Sequence, residues 1–354
     1  MPRYTKEQML ELMGHIAGFE ERLFEMQDGA VSFEMAEDDD DNERLIMRLG
    51  AERFSVSKDA YVEANKIIGL GGGYVERTPV DYVVPHLNYW FDEMGEERKA
   101  IIKDGEVVTY SRPGTELYDL VEFVQTLCNA IEERGYTEYY FEKVFHDVGI
   151  TLFSVVIPDL SRQIGEDTVE AGIHVQHSFL GKKPTILTAY THQDVAGFEG
   201  GTLSATYTNK WNRKLGQWRA PNEDIFDTEE VEVPDDVYNV YRWLESGVGE
   251  IIVRAGREFD TIEQLQNYQI GGHGGTFLND VFTKYKIPNP LQKAIREEYG
   301  MAERQTMYDL YKAVIATSGR AEVAEKPTQM HSIMEVAGEI AAHPGKCDGC
   351  HRMI

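Results

Sequence analysis

The 354 residues hold only three cysteines, and no apolar run approaches the roughly 18–20 residues that cross a bilayer. Three cysteines in so long a chain exclude a disulfide framework and fit a reducing compartment. Basic residues are scarce as well: 35 Lys and Arg stand against 61 Asp and Glu, a net charge of −26. Such a surface repels phosphate backbones, which disfavours sequence-independent nucleic-acid binding by the whole surface and leaves only a local basic groove for it. The acidity suits solubility, or the mimicry of DNA. Also missing are Gly-x-x-x-x-Gly-Lys-Ser/Thr, Gly-x-Ser-x-Gly and His-Glu-x-x-His, and this weighs against the common kinases, hydrolases and dinucleotide oxidoreductases. The opening MPRYTKEQMLELMGHIAGFEE carries acids where a signal peptide needs an unbroken apolar stretch. The expectation is a soluble, cytoplasmic protein with no membrane contact.

What is present is a 42% hydrophobic composition, enough for a buried core. Met9, Leu10, Met13, Ile16, Ala17, Leu23 and Phe24 recur at helical spacing, with Thr5 as N-cap. EMAEDDDDNE (34–43) reads as an exposed loop, because so dense a run of carboxylates repels itself. It lacks the Asp-x-Asp-x-Asp-Gly pattern of a calcium loop. SKDAYVEANKIIGL and TPVDYVVPHLNYWFDEMG read as helices, RKAIIKDGEVVTYS as a hairpin turning at Asp104–Gly105, and TELYDLVEFVQTLCNAIEERG as an amphipathic helix that buries Cys128. From 136 to 209 five β-rich segments follow, and from 234 the pattern turns helical again. In the third β segment Val169, Ala171, Ile173, Val175 and Phe179 alternate with Glu170, His174, Gln176 and Ser178, which predicts one buried and one polar face.

This order predicts an α+β fold: N-terminal helices with a hairpin, a central, mainly antiparallel sheet, and a helical C-terminal part. The expected divisions are 1–64 (helix and acidic loop), 65–232 (core with sheet), 233–342 (helical part) and 343–354 (Cys/His tail).

Several constellations offer chemistry. GLGGGY (69–74) reads as a helix cap and turn, and GGHGG (271–275), with His273, as a joint between helices. His174, His177 and His192 lie in the strand region, with His146 and Asp147 near in sequence. A His-x-x-His pair on a strand points to opposite faces, so His174 and His177 do not chelate one ion. With Glu170, the histidines are the residues an unrecognised enzyme site would use if the fold brings them together; otherwise they are locally bonded structural histidines. The tail HPGKCDGCHRMI holds Cys347 and Cys350 between His343 and His351. Two thiolates at this spacing suit zinc, completed by these histidines, by a distant ligand such as His331, or by a second subunit. A redox pair, an inter-chain disulfide, a haem attachment site and an unliganded polar tail are the alternatives. Finally, YTNKWNRKLGQWR (207–219) interleaves Lys210, Arg213, Lys214 and Arg219 with Trp211 and Trp218. Cations for phosphates and rings for bases are what single-strand binding needs; an ordinary hairpin with a solvated face has the same appearance.

Four segments taken together resemble a known family. They are GLGGGYVERTPVDYVVPHLNYWF, with its Pro and late Asn-x-Trp; AIIKDGEVVTYSRPGTELYDLVEFVQTL; GEDTVEAGIHVQHSFLGKKPTILTAY; and RQTMYDLYKAVIATSGRAEVAEKPTQMHSIMEVAGEI. In this order, over about residues 65–342, they look like the phage- and plasmid-encoded proteins that carry a domain of unknown function. The chain departs from that family where VAGFEGG follows TAYTHQD, at His177 and at Lys312. The resemblance implies a mobile-element product working inside a bacterial cell and carries over no functional residue. The expected function is that of an accessory protein acting by protein binding or self-assembly. The alternatives are a single-stranded nucleic-acid factor using 207–219 and an enzyme with a histidine site on the sheet.

Overall fold

Thr5 opens the first helix, α1 (Lys6–Ile16): its hydroxyl accepts the Gln8 N–H at 3.4 Å, and the Gln8 side-chain oxygen accepts the Thr5 N–H at 2.9 Å. This reciprocal pair is a capping box. The helix ends before Leu23 and Phe24, which helical spacing had placed on it. They lie on strand β1 (Glu20–Glu25), where Leu23 is exposed and Phe24 buried, as strand alternation requires.

The computed structural model describes residues 2–37, 43–71, 74, 77–113, 117–147, 150–178, 184–195, 197–212, 217–219, 237–269, 274–284, 286–300, 306–320, 323, 326–342, 346–347 and 352–353. These form two compact units, one of His15–Leu117 and one of Met1–Gly14 with Tyr118–Ile354. The expected division at 64/65 falls elsewhere because strands from both sides of it pair in one sheet.

In the His15–Leu117 unit, β2 (Val31–Glu37), β3 (Glu43–Leu49), β4 (Glu52–Val56), β5 (Glu97–Lys103) and β6 (Glu106–Ser111) join β1 in the order β1-β5-β6-β4-β3-β2. All neighbours are antiparallel except β4 and β6. The acidic stretch is thus only in part a loop. Glu34–Glu37 and Glu43 are strand residues, their backbone paired and Glu34 bonded to Arg48 and Arg53 at 2.8 and 2.7 Å; residues 38–42 lie outside the described ones. Helices α2 (Lys58–Ile67), capped by Ser57, and α3 (Val80–Glu93) bury Ala60, Ala64, Val83, Leu87 and Phe91 against Phe33, Met47 and Tyr110. Asn88 of α3 substitutes for a neighbouring strand at the sheet edge. Its Oδ1 accepts the Phe33 N–H at 2.6 Å and its Nδ2 donates to the Phe33 carbonyl at 2.9 Å, which closes part of an open ladder. The hairpin turns at Asp104 and Gly105, both at positive φ, as expected.

The other unit is built on an antiparallel meander in chain order: β7 (Tyr140–Asp147), β8 (Ile150–Ile164), β9 (Asp167–His177), β10 (Thr185–Val195), β11 (Phe198–Asn212) and the short β12 (Gln217–Arg219). Pro158, which has no N–H for a ladder, sits in a register shift of β8 between Ile157 and Ser161. Tyr4 bridges to Phe141 on the outer edge of β7.

Helix α4 (Leu120–Glu132), capped by Asp119, buries Cys128 as the amphipathic pattern predicts. Helix α5 (Val237–Gln264) runs for 28 residues and ends in a 3-10 turn, Leu265–Asn267. Helices α6 (Gly274–Lys284), α7 (Asn289–Gly300), α8 (Met307–Ser318) and α9 (Pro327–Ala342) complete the helical part. Helix α9 lies almost backbone to backbone on β11. A Cβ on Gly338 would stand 1.8 Å from the Leu203 carbonyl oxygen, so only glycine fits there. Among the described residues no helix is long and apolar enough to cross a membrane.

Candidate functional site on the polar sheet face

The meander gives its two faces different neighbours. On one, His177 stacks on Phe123 of α4 with centroids 3.8 Å apart, and Trp211 lies 6.1 Å from Trp243 of α5, whose indole donates to Asn209 at 2.9 Å. On the other, Ser154, His174, Thr188, Tyr190 and His192 follow one another across β8, β9 and β10 in register. This second face corrects an expectation. The polar side of β9 meets water only in part: Glu170 and Gln176 are half-buried, whereas His174 is 2% exposed. Alternation identified the polar face, but helix α9 covers part of it, and His331 of α9 brings its ring to 5.4 Å from that of His174.

At the centre of the face is Glu142, 1% exposed. Its Oε1 accepts three bonds: from Tyr190 at 2.6 Å, from His192 Nδ1 at 3.0 Å and from Lys143 Nζ at 3.1 Å. In a regular strand, consecutive residues 142 and 143 point to opposite faces. Here β7 changes register between Glu142 and Phe145, and Lys143 takes φ 54°, which returns its ammonium to the carboxylate. A left-handed lysine costs about 1 kcal/mol or more and persists only where its surroundings hold it. Burial opposes the Glu142 charge, yet Lys143, His192 and Tyr190 hold its pKa well below the ordinary carboxylate value. Burial lowers the Lys143 pKa, against the pull of Glu142. Gly201, opposite His192, makes room for the Tyr190 ring, since a Cβ there would lie 2.1 Å from the phenol oxygen.

The bonds continue outward. Tyr190 gives its proton to Glu142 and accepts from Lys143. On the same face Ser154 and His174 Nδ1 share a hydrogen bond of 3.0 Å. The other ring nitrogen of His174, Nε2, is buried and has no bonding partner. Burial, then His331 and Lys143, keep its pKa far below the ordinary imidazole value, so the ring is neutral. His174 and His331 both line a cavity of about 250 Å³, with Thr188, Thr208, Lys210, Glu335 and Glu339 also in its wall. That is below the roughly 300–1,000 Å³ of drug-sized sites and suits a small polar molecule.

The fold places three of the four residues singled out on the sheet on one face, with His174 four residues along β9 from the Glu170–His192 pair. Glu170 accepts from Tyr140 at 3.1 Å and stands opposite His192 in the β9–β10 register, on the face of His174. His177 points the other way, as its spacing requires, and bonds Thr185 at 3.0 Å. His146 bonds Thr151 at 3.1 Å. Glu142, Lys143, Ser154 and Tyr190 escaped sequence reasoning. The available signal was the charged pair Glu142–Lys143 between Phe141 and Val144–Phe145.

The basic-aromatic segment is divided. Lys210 lines the cavity, but Trp211 is 5% exposed, donates to Tyr118 at 3.3 Å and is not free to stack on a base. Adjacent strand residues face opposite ways, which separates this cation from this ring. Trp218 and Arg219 pair in register with Trp211 and Lys210, while Arg213 and Lys214 lie outside the described residues. Cys347 is on β13 (Lys346–Cys347), paired with β14 (Arg352–Met353); His273, His343, Cys350 and His351 lie outside the described residues. Among the described residues no three His, Cys, Asp or Glu side chains form a metal-binding group. No family model, no curated protein and no solved structure matches the chain.

Proposed function

We propose that the protein is an enzyme acting on a small polar molecule held in the cavity between the β9–β11 face and α9, with His174 as its reactive group. One observation carries this reading: the neutral imidazole of His174, bonded through Nδ1 to Ser154, lines the cavity and has a buried Nε2 with no protein partner. A buried polar atom without a partner is uncommon in folded proteins and calls for an explanation such as a ligand. The strong lowering of the His174 pKa at a cavity wall supports the same reading. In this arrangement the neutral imidazole meets the bound molecule through Nε2, and the bond from Nδ1 to Ser154 fixes the orientation of the ring. The setting we propose, a mobile-element product inside a bacterial cell, rests on the four family-like segments.

Ligand-observed NMR with a library of small polar metabolites tests the reading. Binders of the wild type are expected to be lost in Thr208→Trp, which fills the cavity, and in His174→Phe. If no compound distinguishes the wild type from the filled variant, the cavity is not a binding site.

A second reading, self-association through protein surface, is favoured by α3. Tyr82, Tyr89 and Trp90 of this helix are 68, 57 and 44% exposed. Large aromatic groups in water are enriched at contact sites. Sedimentation at rising concentration should show association that disappears in a Tyr82→Ser, Tyr89→Ser, Trp90→Ser variant; a wild type that stays monomeric rules this reading out.

A further inference from the structure

From the paired rings of His174 and His331 we infer that the cavity holds a divalent transition-metal ion of the zinc class, ligated by His174 Nε2 and His331 Nδ1. The inference rests on the proposed histidine site and names what that site holds. Both nitrogens are buried and lack partners. Each ring has its other nitrogen engaged. His174 Nδ1 is bonded to Ser154, and His331 Nε2 is 3.6 Å from the carboxylate of Glu335, one helical turn on. A carboxylate behind a ligating imidazole is the usual outer support of such a site, and a bound ion would fix the proton of each ring on the nitrogen turned away from it. The ring spacing agrees. Zinc–nitrogen bonds of about 2.0–2.1 Å at a tetrahedral angle put two ring centres about 5 Å apart, and these stand 5.4 Å apart.

Imidazole pairs suit zinc, copper and nickel and are poor ligands for magnesium or calcium. Among the described residues no third His, Cys, Asp or Glu completes a set. Two protein ligands hold an ion more loosely than the three of ordinary catalytic zinc sites and leave its other positions to water or to the bound molecule. The ion then gives the cavity a Lewis acid beside the two unpartnered nitrogens.

The test must separate this site from the Cys347/Cys350 tail. Zinc titration by calorimetry on the full chain carrying Cys347→Ser and Cys350→Ser is expected to give one ion per chain. In that background His331→Leu, at a partly exposed helix position, removes binding, and Glu335→Gln weakens it about tenfold or more. Cobalt in place of zinc is expected to show visible ligand-field bands without thiolate charge transfer. Absence of binding in the Cys-free chain, or binding indifferent to His331→Leu, overturns the inference. Loss of metabolite binding in His174→Phe without any zinc uptake leaves the cavity reading intact and removes the metal alone.

Discussion

Glu142→Gln is expected to destabilise the Tyr118–Ile354 part of the protein by about 3–5 kcal/mol, the usual cost of removing one partner of a buried ion pair. The substitution keeps shape and volume, so packing loss does not enter. What is lost is the anion facing Lys143, whose side chain is fully buried, and the shared acceptor of Tyr190 and His192. An unpartnered ammonium cannot stay charged there and must lose its proton or open the structure. The change corresponds to a fall in Tm on the order of 10 °C for a unit of this size. Glu142→Gln combined with Lys143→Met removes both charges, so no unpartnered ion is left in the interior. The double variant is therefore expected to recover most of the loss. Chemical denaturation of the wild type, both single variants and the double variant measures the coupling directly. A loss below about 1 kcal/mol in Glu142→Gln would mean that the network does not carry charge.

Acid is expected to weaken the fold well before ordinary carboxylates titrate. Burial pushes the His177 pKa down to about 3, with Phe123 stacked on the ring, and holds His174 low as well. Both are neutral when folded and take up protons when unfolded below about 6.5. The unfolded state thus binds more protons as pH falls through 6.5, and stability falls with it, for His177 until about pH 3. At pH 5 the loss from His177 alone is roughly 2 kcal/mol relative to neutrality. Glu142, with its lowered pKa, adds to the loss only at more acid pH, below the unfolded carboxylate range. Glu258, raised by burial against the bonds from Ser204 and Thr206, acts in the opposite direction. Denaturation midpoints measured between about pH 7 and 5 check this, with His177→Phe as control. The variant keeps a ring on Phe123, loses the titration and is expected to have the flatter profile. Equal slopes for both proteins would remove His177 as the cause.

Much of the fold was readable because it follows local rules. Five β-rich segments became a meander in chain order, Asp104–Gly105 made its turn, and Thr5 and Ser57 capped their helices. Period-two reasoning also separated His174 from His177. What escaped depends on tertiary cover. Whether the polar side of β9 meets water or α9 is decided by a helix about 150 residues later. Trp211 resembled a stacking platform in sequence because burial by α5 leaves no local mark. Part of β1 was read as helix and the ends of β2 and β3 as loop, and β4 was not read at all, since Glu and Arg recur among their exposed residues and conceal the alternation. The Glu142 centre depends on a bulge at Lys143, and no turn residue announces it.

The discontinuity of the larger unit sets an order of assembly. His15–Leu117 has all its strands once Leu117 has been made, so it is the first part able to close during synthesis. Tyr4 is made earlier but has nothing to pair with until Phe141 exists. The first 14 residues therefore wait through the making of an entire other unit. When they dock on the outer edge of β7, they close a chain loop of more than a hundred residues, a step whose entropic cost grows only slowly with length.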